Sequence, residues 1–221
     1  MAAGWQSTRQ LFERGSLTVL LLASIVGVVA ACRGGGSSPT APIGGVSCLD
    51  RAVFGSPQDS PYILPYPVGT AYSVMQTYCG PLSHGGDNQL AYDFWMPIGE
   101  ELIAARGGIV REVIERYEDQ NINGREFNRI YIEHADGSSA FYAHLTLNGA
   151  VVEVGDQVMA GELIGLNGET GTDVPHLHFG VYRTWPPRQD DDLPINFRNA
   201  QGPLDARGGL QVDVSYLALP Y

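Results

Sequence analysis

The sequence predicts an all-β domain built on an antiparallel sheet. Three observations point there: 28 glycines and 14 prolines punctuate the chain, the runs between them are short and rich in Val, Ile, Tyr and Phe, and no stretch carries a long amphipathic helical pattern. With 221 residues, 44% hydrophobic and 17% charged, the chain can bury one sizeable core, so one principal domain is expected. No internal repeat is visible.

The elements follow in chain order. Arg9 and Arg14 precede a 15-residue uncharged run, 17–31, that ends in small residues. It is short for a membrane-spanning helix, which needs roughly 20 apolar residues, and has the layout of an export signal. It stops at Val29-Ala30-Ala31-Cys32, which resembles the lipobox of bacterial lipoproteins; that resemblance implies cleavage after residue 31 and a lipid on Cys32, anchoring the exported protein to a bacterial membrane on its periplasmic or cell-wall side. An ordinary signal peptide or an uncleaved anchor remains the alternative. Residues 32–47, with Gly34-Gly35-Gly36-Ser37-Ser38-Pro39, have the composition of a flexible tether reaching about 20 Å. Residues 48–80 form a Pro- and Tyr-rich approach segment, expected to be irregular or an edge strand because prolines cannot feed a central ladder, and expected to wrap the core. Cys48 and Cys79 pair most simply with each other in an oxidising compartment, two buried thiols being the alternative.

Strands are expected at 91–95, 108–117, 129–134, 139–145, 163–167 and 178–183, within a core region 81–185. Asp136-Gly137 marks a hairpin. Residues 152–161 suggest a strand, a turn and a short strand, with glycines at the sharp bends. The remainder, 186–221, is expected to be a loop carrying the acidic run Asp190, Asp191 and Asp192 in solvent, with a short strand at 195–198.

The formal charge of −11 makes nucleic acid an unsuitable partner. The five histidines are more informative. His176 and His178 lie two apart in a segment of β character, so both imidazoles face one side while Leu177 and Phe179 face a core. Such a pair suits a division of labour, one ring on a metal and the other beside it. Tyr142-Ala143-His144-Leu145 repeats the pattern, with Tyr142 and His144 expected on one face. His84 and Asp93 add an imidazole and a carboxylate, and two His with one Asp is a sound three-ligand set for zinc.

Here the chain resembles the lysostaphin (LytM) type of zinc metallopeptidase, which cuts peptidoglycan peptides. The likeness runs over about 83–182 and rests on His84, Asp93-Phe94-Trp95-Met96-Pro97-Ile98-Gly99, Tyr142-Ala143-His144-Leu145, Val154-Gly155-Asp156-Gln157-Val158, Gly168-Glu169-Thr170-Gly171 and Pro175-His176-Leu177-His178-Phe179. It implies a duplicated hybrid motif fold with a groove holding a metal site. It also implies Zn2+ on His84, Asp93 and His178, with His144 and His176 as the catalytic pair. His176 is expected to take the proton from water and His144 to stabilise the oxyanion, in roles that can be exchanged or shared. One departure stands out: eight residues separate His84 from Asp93 where the family pattern has three, so Asp87 is an alternative carboxylate. The D-F-x-x-P-x-G context favours Asp93, and the extra residues are expected as a loop between two ligand-bearing strands. His134, in the hairpin, is expected to hydrogen-bond its own turn. Tyr142 is a candidate for positioning substrate, with a structural tyrosine as the alternative.

Two other classes of function compete. The Val-Gly-Asp pattern within 152–165 also occurs in lipoyl and biotinyl carrier domains, but those attach their cofactor to lysine, and all 13 basic residues here are arginine. A catalytically silent wall-binding module that activates a cell-wall amidase is the remaining rival. Relatives of that kind have lost metal ligands, whereas every matching position here is filled.

Overall fold

The computed structural model describes residues 47–85 and 88–221. The expected signal segment, Cys32, nearly all of the tether and Asp87 lie outside the described residues. Among the described residues helix is confined to one turn, α1 (Cys48–Arg51), and a 3-10 turn at Pro57–Asp59. Ser47 caps α1 by accepting the Asp50 N–H at 3.2 Å, which satisfies one of the turn's free donors. No described helix is long and apolar enough to cross a membrane.

Everything else hangs on antiparallel pairing. The strands are β1 (Ala71–Gln76), β2 (Tyr92–Trp95), β3 (Glu101–Ile103), β4 (Gly108–Ile114), β5 (Asn128–Glu133) and β6 (Ser139–Ala150). They continue with β7 (Gln157–Val158), β8 (Leu163–Asn167), β9 (His176–Tyr182), β10 (Ala200–Gln201) and β11 (Ser215–Ala218). The sheet runs β10-β11-β1-β2-β9-β6-β5-β4-β7, and β8 pairs with both β3 and β6. The all-β antiparallel expectation holds.

Several expectations change. Residues 195–198 are not a strand: Phe197 is buried among Tyr92, Phe94 and Phe179, so the alternating pattern there marks a plug in the core. Of 152–161 only Gln157–Val158 is strand. The approach segment is not confined to an edge, because β1 lies between β11 and β2. Its prolines, Pro57, Pro61, Pro65 and Pro67, fall before β1, where Tyr62, Ile63, Leu64 and Tyr66 are buried and Ile63 N–H donates to Ala105 O at 2.8 Å. The segment therefore packs as part of the core. Asp192 likewise leaves solvent: it is buried, accepts the Leu90 N–H at 2.7 Å and pairs with Arg51.

His134 does not serve its own turn. Its Nδ1–H donates to Gly107 O at 2.9 Å, tying the β5–β6 hairpin to the start of β4, and its ring meets Tyr62 edge-on at 5.5 Å. Burial pushes this imidazole down to about 4. Its unfolded value is about 6.5, so between the two the unfolded chain binds a proton that the folded chain does not. The contribution is fully present above about 6.5 and is lost as pH falls towards 4, on the order of 3 kcal/mol. Urea unfolding at stepped pH should show a shallower acid loss in His134→Gln than in the parent; parallel curves would contradict the assignment.

Cys48 and Cys79 form a disulfide with Cα atoms 5.8 Å apart, closing a 31-residue separation. Cys79 N–H also donates to Gln89 O at 2.6 Å, so the bridge braces the chain that carries His84. Reduction, or Cys48→Ser with Cys79→Ser, should lower unfolding free energy by about 2–4 kcal/mol, read from the shift in denaturant midpoint.

Candidate active site

Register assembles the site. In the β2–β9 ladder Asp93 stands opposite His178 and Trp95 opposite His176, and directly opposed side chains on one face are near neighbours. The alternation expected for β9 is observed: Leu177 and Phe179 are fully buried in the core, and both histidines face the other way, towards Asp93. Asp93 is itself fully buried. His178 Nδ1 lies 2.8 Å from Asp93 Oδ1, and His84 Nε2 lies 3.1 Å from Asp93 Oδ2.

His84 is not on a strand. It sits in the connection between β1 and β2, so the expected loop between two ligand-bearing strands itself carries the first ligand. The ligand atoms of His84, Asp93 and His178 lie within 4.8 Å of one another. His84 Nδ1–H donates to Thr77 O at 2.6 Å, which leaves a neutral ring only a lone pair at Nε2. That atom is buried without a hydrogen bond and faces a carboxylate oxygen, an arrangement favourable only with positive charge there, a proton on the ring or a metal ion between the two groups. The donor set of two imidazoles and one carboxylate suits zinc. Burial alone would raise the Asp93 carboxyl, but the contacts with His178 and then His84 outweigh it and hold it well below the usual carboxylate range.

The second pair lies alongside, with the His144 and His176 rings 4.5 Å apart. Each is oriented by a backbone carbonyl: Nδ1–H of His144 donates to Thr170 O at 2.6 Å, and Nδ1–H of His176 to Val174 O at 3.0 Å. Both neutral rings therefore aim Nε2 lone pairs away from those carbonyls. Desolvation and the neighbouring His176 and His178 push His144 down to about 3; desolvation also lowers His176, against the pull of Asp93.

His144 owes its direction to a β-bulge. Arg129 pairs with Ala143 and Asn128 with Leu145, leaving His144 as the extra residue, and its φ is +70°, a left-handed value that costs a non-glycine residue on the order of 1–3 kcal/mol. The bulge breaks the alternation, so Tyr142 and His144 do not share a face as expected. Tyr142 is buried in the core, its hydroxyl accepting the Ala105 N–H at 2.7 Å; it positions backbone and not substrate. The bulge is supported by Asn128, whose Nδ2 donates to Leu145 O at 3.2 Å and Thr146 O at 3.1 Å. Gly171 lets its loop come close enough to present Thr170 O, since a Cβ there would meet Phe127 Cβ at 2.7 Å.

His144, His176 and His178 line a groove of about 620 Å³ whose walls include Met75, Leu82, Trp95, Phe127 and Asp173. Residues 87–192 match the model of peptidase family M23. This stretch of the chain is a peptidase family M23 domain. Similar sequences include glycyl-glycine endopeptidase ALE-1 of Staphylococcus capitis, 34% identical over 100 residues, which are 45% of this chain and 26% of that protein. Lysostaphin of Staphylococcus simulans is 34% identical over 100 residues, 45% of this chain and 19% of that one. The solved structure of lysostaphin aligns at 33% identity over 50% of this chain and 42% of that chain, with a TM-score of 0.40. The chain thus spans about a third or less of the length of the curated relatives it matches.

The M23 match begins after His84, so the place of His84 in the ligand cluster rests on geometry. The five polar side chains singled out in the sequence, His84, Asp93, His144, His176 and His178, lie together in the structure, but their supports gave no such signal. Thr77, Thr170 and Val174 act through backbone carbonyls, which leave no side-chain signal. Gln76, which donates to Asp93 Oδ2 at 3.0 Å, lies in the approach segment. Tyr142→Phe should leave the buried Ala105 N–H unpaired and cost about 1–3 kcal/mol of stability while leaving kcat/KM on any substrate of the groove unchanged; a selective loss of activity would return Tyr142 to the site.

Proposed function

We propose that the chain is a zinc-dependent endopeptidase that hydrolyses peptide bonds of bacterial peptidoglycan, in stem peptides or cross-links. The observation that carries this is the convergence of His84, Asp93 and His178 on one point beside the His144–His176 pair in an open groove. Support comes from the M23 match and from a relative named as a glycyl-glycine endopeptidase.

His84, Asp93 and His178 would hold the ion. Zinc bound there supplies Lewis acidity, polarising an amide carbonyl and acidifying water towards a pKa of about 7. The chain's own residues do the rest. His176 and His144 each offer a lone pair at Nε2 once their Nδ1–H groups are engaged by Val174 O and Thr170 O. Either ring can accept the proton of the attacking water; the imidazolium then donates to the developing oxyanion or the departing amine. His144 in its neutral state is an acceptor at that atom, so its expected role as oxyanion donor follows proton uptake and does not precede it. The apolar walls limit water around the bond under attack. The proposal extends to export and lipid attachment at Cys32, supported by the lipobox-like sequence alone.

Digestion of purified peptidoglycan by the zinc-loaded full chain, with products read by mass spectrometry, tests it. Newly opened peptide bonds are expected from the intact protein and none from His178→Ala, while His144→Ala and His176→Ala should keep zinc and lose roughly 10²–10⁴-fold in kcat/KM. An intact protein that is folded, holds zinc and opens no bond would overturn the assignment in favour of the amidase-activating wall module.

A further inference from the structure

Asp93 faces not only imidazoles but one amide, and that amide reaches both halves of the ligand set. The β1–β2 ladder pairs Val74 with Phe94 and then Gln76 with Asp93, two residues of β1 passing for one of β2. Met75 is the extra residue of this bulge, and the bulge turns Gln76 onto the face of Asp93. Without it, regular pairing would set Gln76 opposite Tyr92.

The Gln76 side chain is buried and uses both ends of its amide. Nε2 donates to Asp93 Oδ2 at 3.0 Å and to Ser83 Oγ at 2.7 Å. Oε1 accepts the backbone N–H of Leu82 at 2.9 Å and of Ser83 at 3.4 Å. The next residue, Thr77, holds the His84 ring through its carbonyl at 2.6 Å. The end of β1 thus grips the chain just before His84, the His84 ring and the Asp93 carboxylate together. This answers the difficulty of the eight-residue separation: a ligand on an irregular connection has no ladder to place it, and the amide does so instead. Gly80 makes the room. A Cβ there would lie 2.4 Å from Gln76 Cγ and 2.8 Å from Oε1, and an amide held by four hydrogen bonds has nowhere to retreat.

We infer that Gln76 is a positioning residue that sets the separation of His84 from Asp93 and, through it, the affinity of the site for zinc. This rests on the zinc reading of the site given above. It does not touch the reacting atoms; it acts through Asp93 and the backbone of 82–83.

The test is zinc affinity of the full chain by competition with a chromophoric chelator, for the parent, Gln76→Leu and Gly80→Ala, with the Co2+ absorption spectrum and the unfolding midpoint of each metal-free protein measured alongside. Gln76→Leu should bind zinc about 10–100-fold more weakly and show an altered Co2+ spectrum, beyond any change in metal-free stability. Gly80→Ala, which crowds the amide without removing it, should weaken zinc in the same direction and keeps the question answerable if Gln76→Leu does not fold. Affinities within about twofold of the parent in the folded variants would overturn the role of Gln76 and leave the zinc site standing. A parent that binds no zinc would overturn both.

Discussion

The structure depends on a carboxylate buried completely beside two imidazoles. An isolated ionised group in that position would be strongly destabilising, yet Asp93 remains ionised because His178, His84 and Gln76 surround it. Its position is a consequence of sheet register. Asp93 on β2 stands opposite His178 on β9, and a slip by one residue would place Tyr92 or Phe94 there and send the carboxylate into the core. Those two aromatic rings, both fully buried, hold the register by their own packing. The hydrophobic side of β2 thus fixes the geometry of its polar side.

Regular pairing alone does not complete the site; two departures from it do. One bulge, at Met75, swings Gln76 towards Asp93, and another, at His144, swings that ring into the groove while Tyr142 stays in the core. The second carries a left-handed residue, whose strain is offset by the Asn128 amide and the Thr170 carbonyl. Bulges of this kind re-aim a single side chain without disturbing the ladder beyond them, which is how one sheet supplies both a close-packed core face and a polar cluster of three histidines and one aspartate, joined by His84 from the β1–β2 connection.

The M23 match covers 87–192, but two supports of the site lie outside that span. Gln76 and Thr77 come from the segment before it, which is bonded to the rest by β1 pairing with β2 and by the Cys48–Cys79 bridge. Behind β1 lies β11, contributed by the C-terminal stretch, with Tyr216 and Phe197 in the same core. The flanks are therefore woven into the sheet that orients the ligands.

The sequence by itself determined the class of fold, the disulfide and the set of polar residues that meet. Punctuation by glycine and proline, two-residue alternation in β9 and the chemical rarity of His, Asp and Cys are local signals that survive without coordinates. Tertiary structure alone decided the rest. That Tyr142 and His144 part company, that 195–198 is a core plug, that β1 is interior and that Asp192 is buried against Arg51 all depend on partners distant in sequence. Bulges illustrate the reason: they arise where two strands of unequal residue count must keep the same hydrophobic face buried, a condition that neither strand contains alone. Gln76 is the strongest case, an ordinary glutamine in sequence whose place beside Asp93 exists only because β1 and β2 are paired.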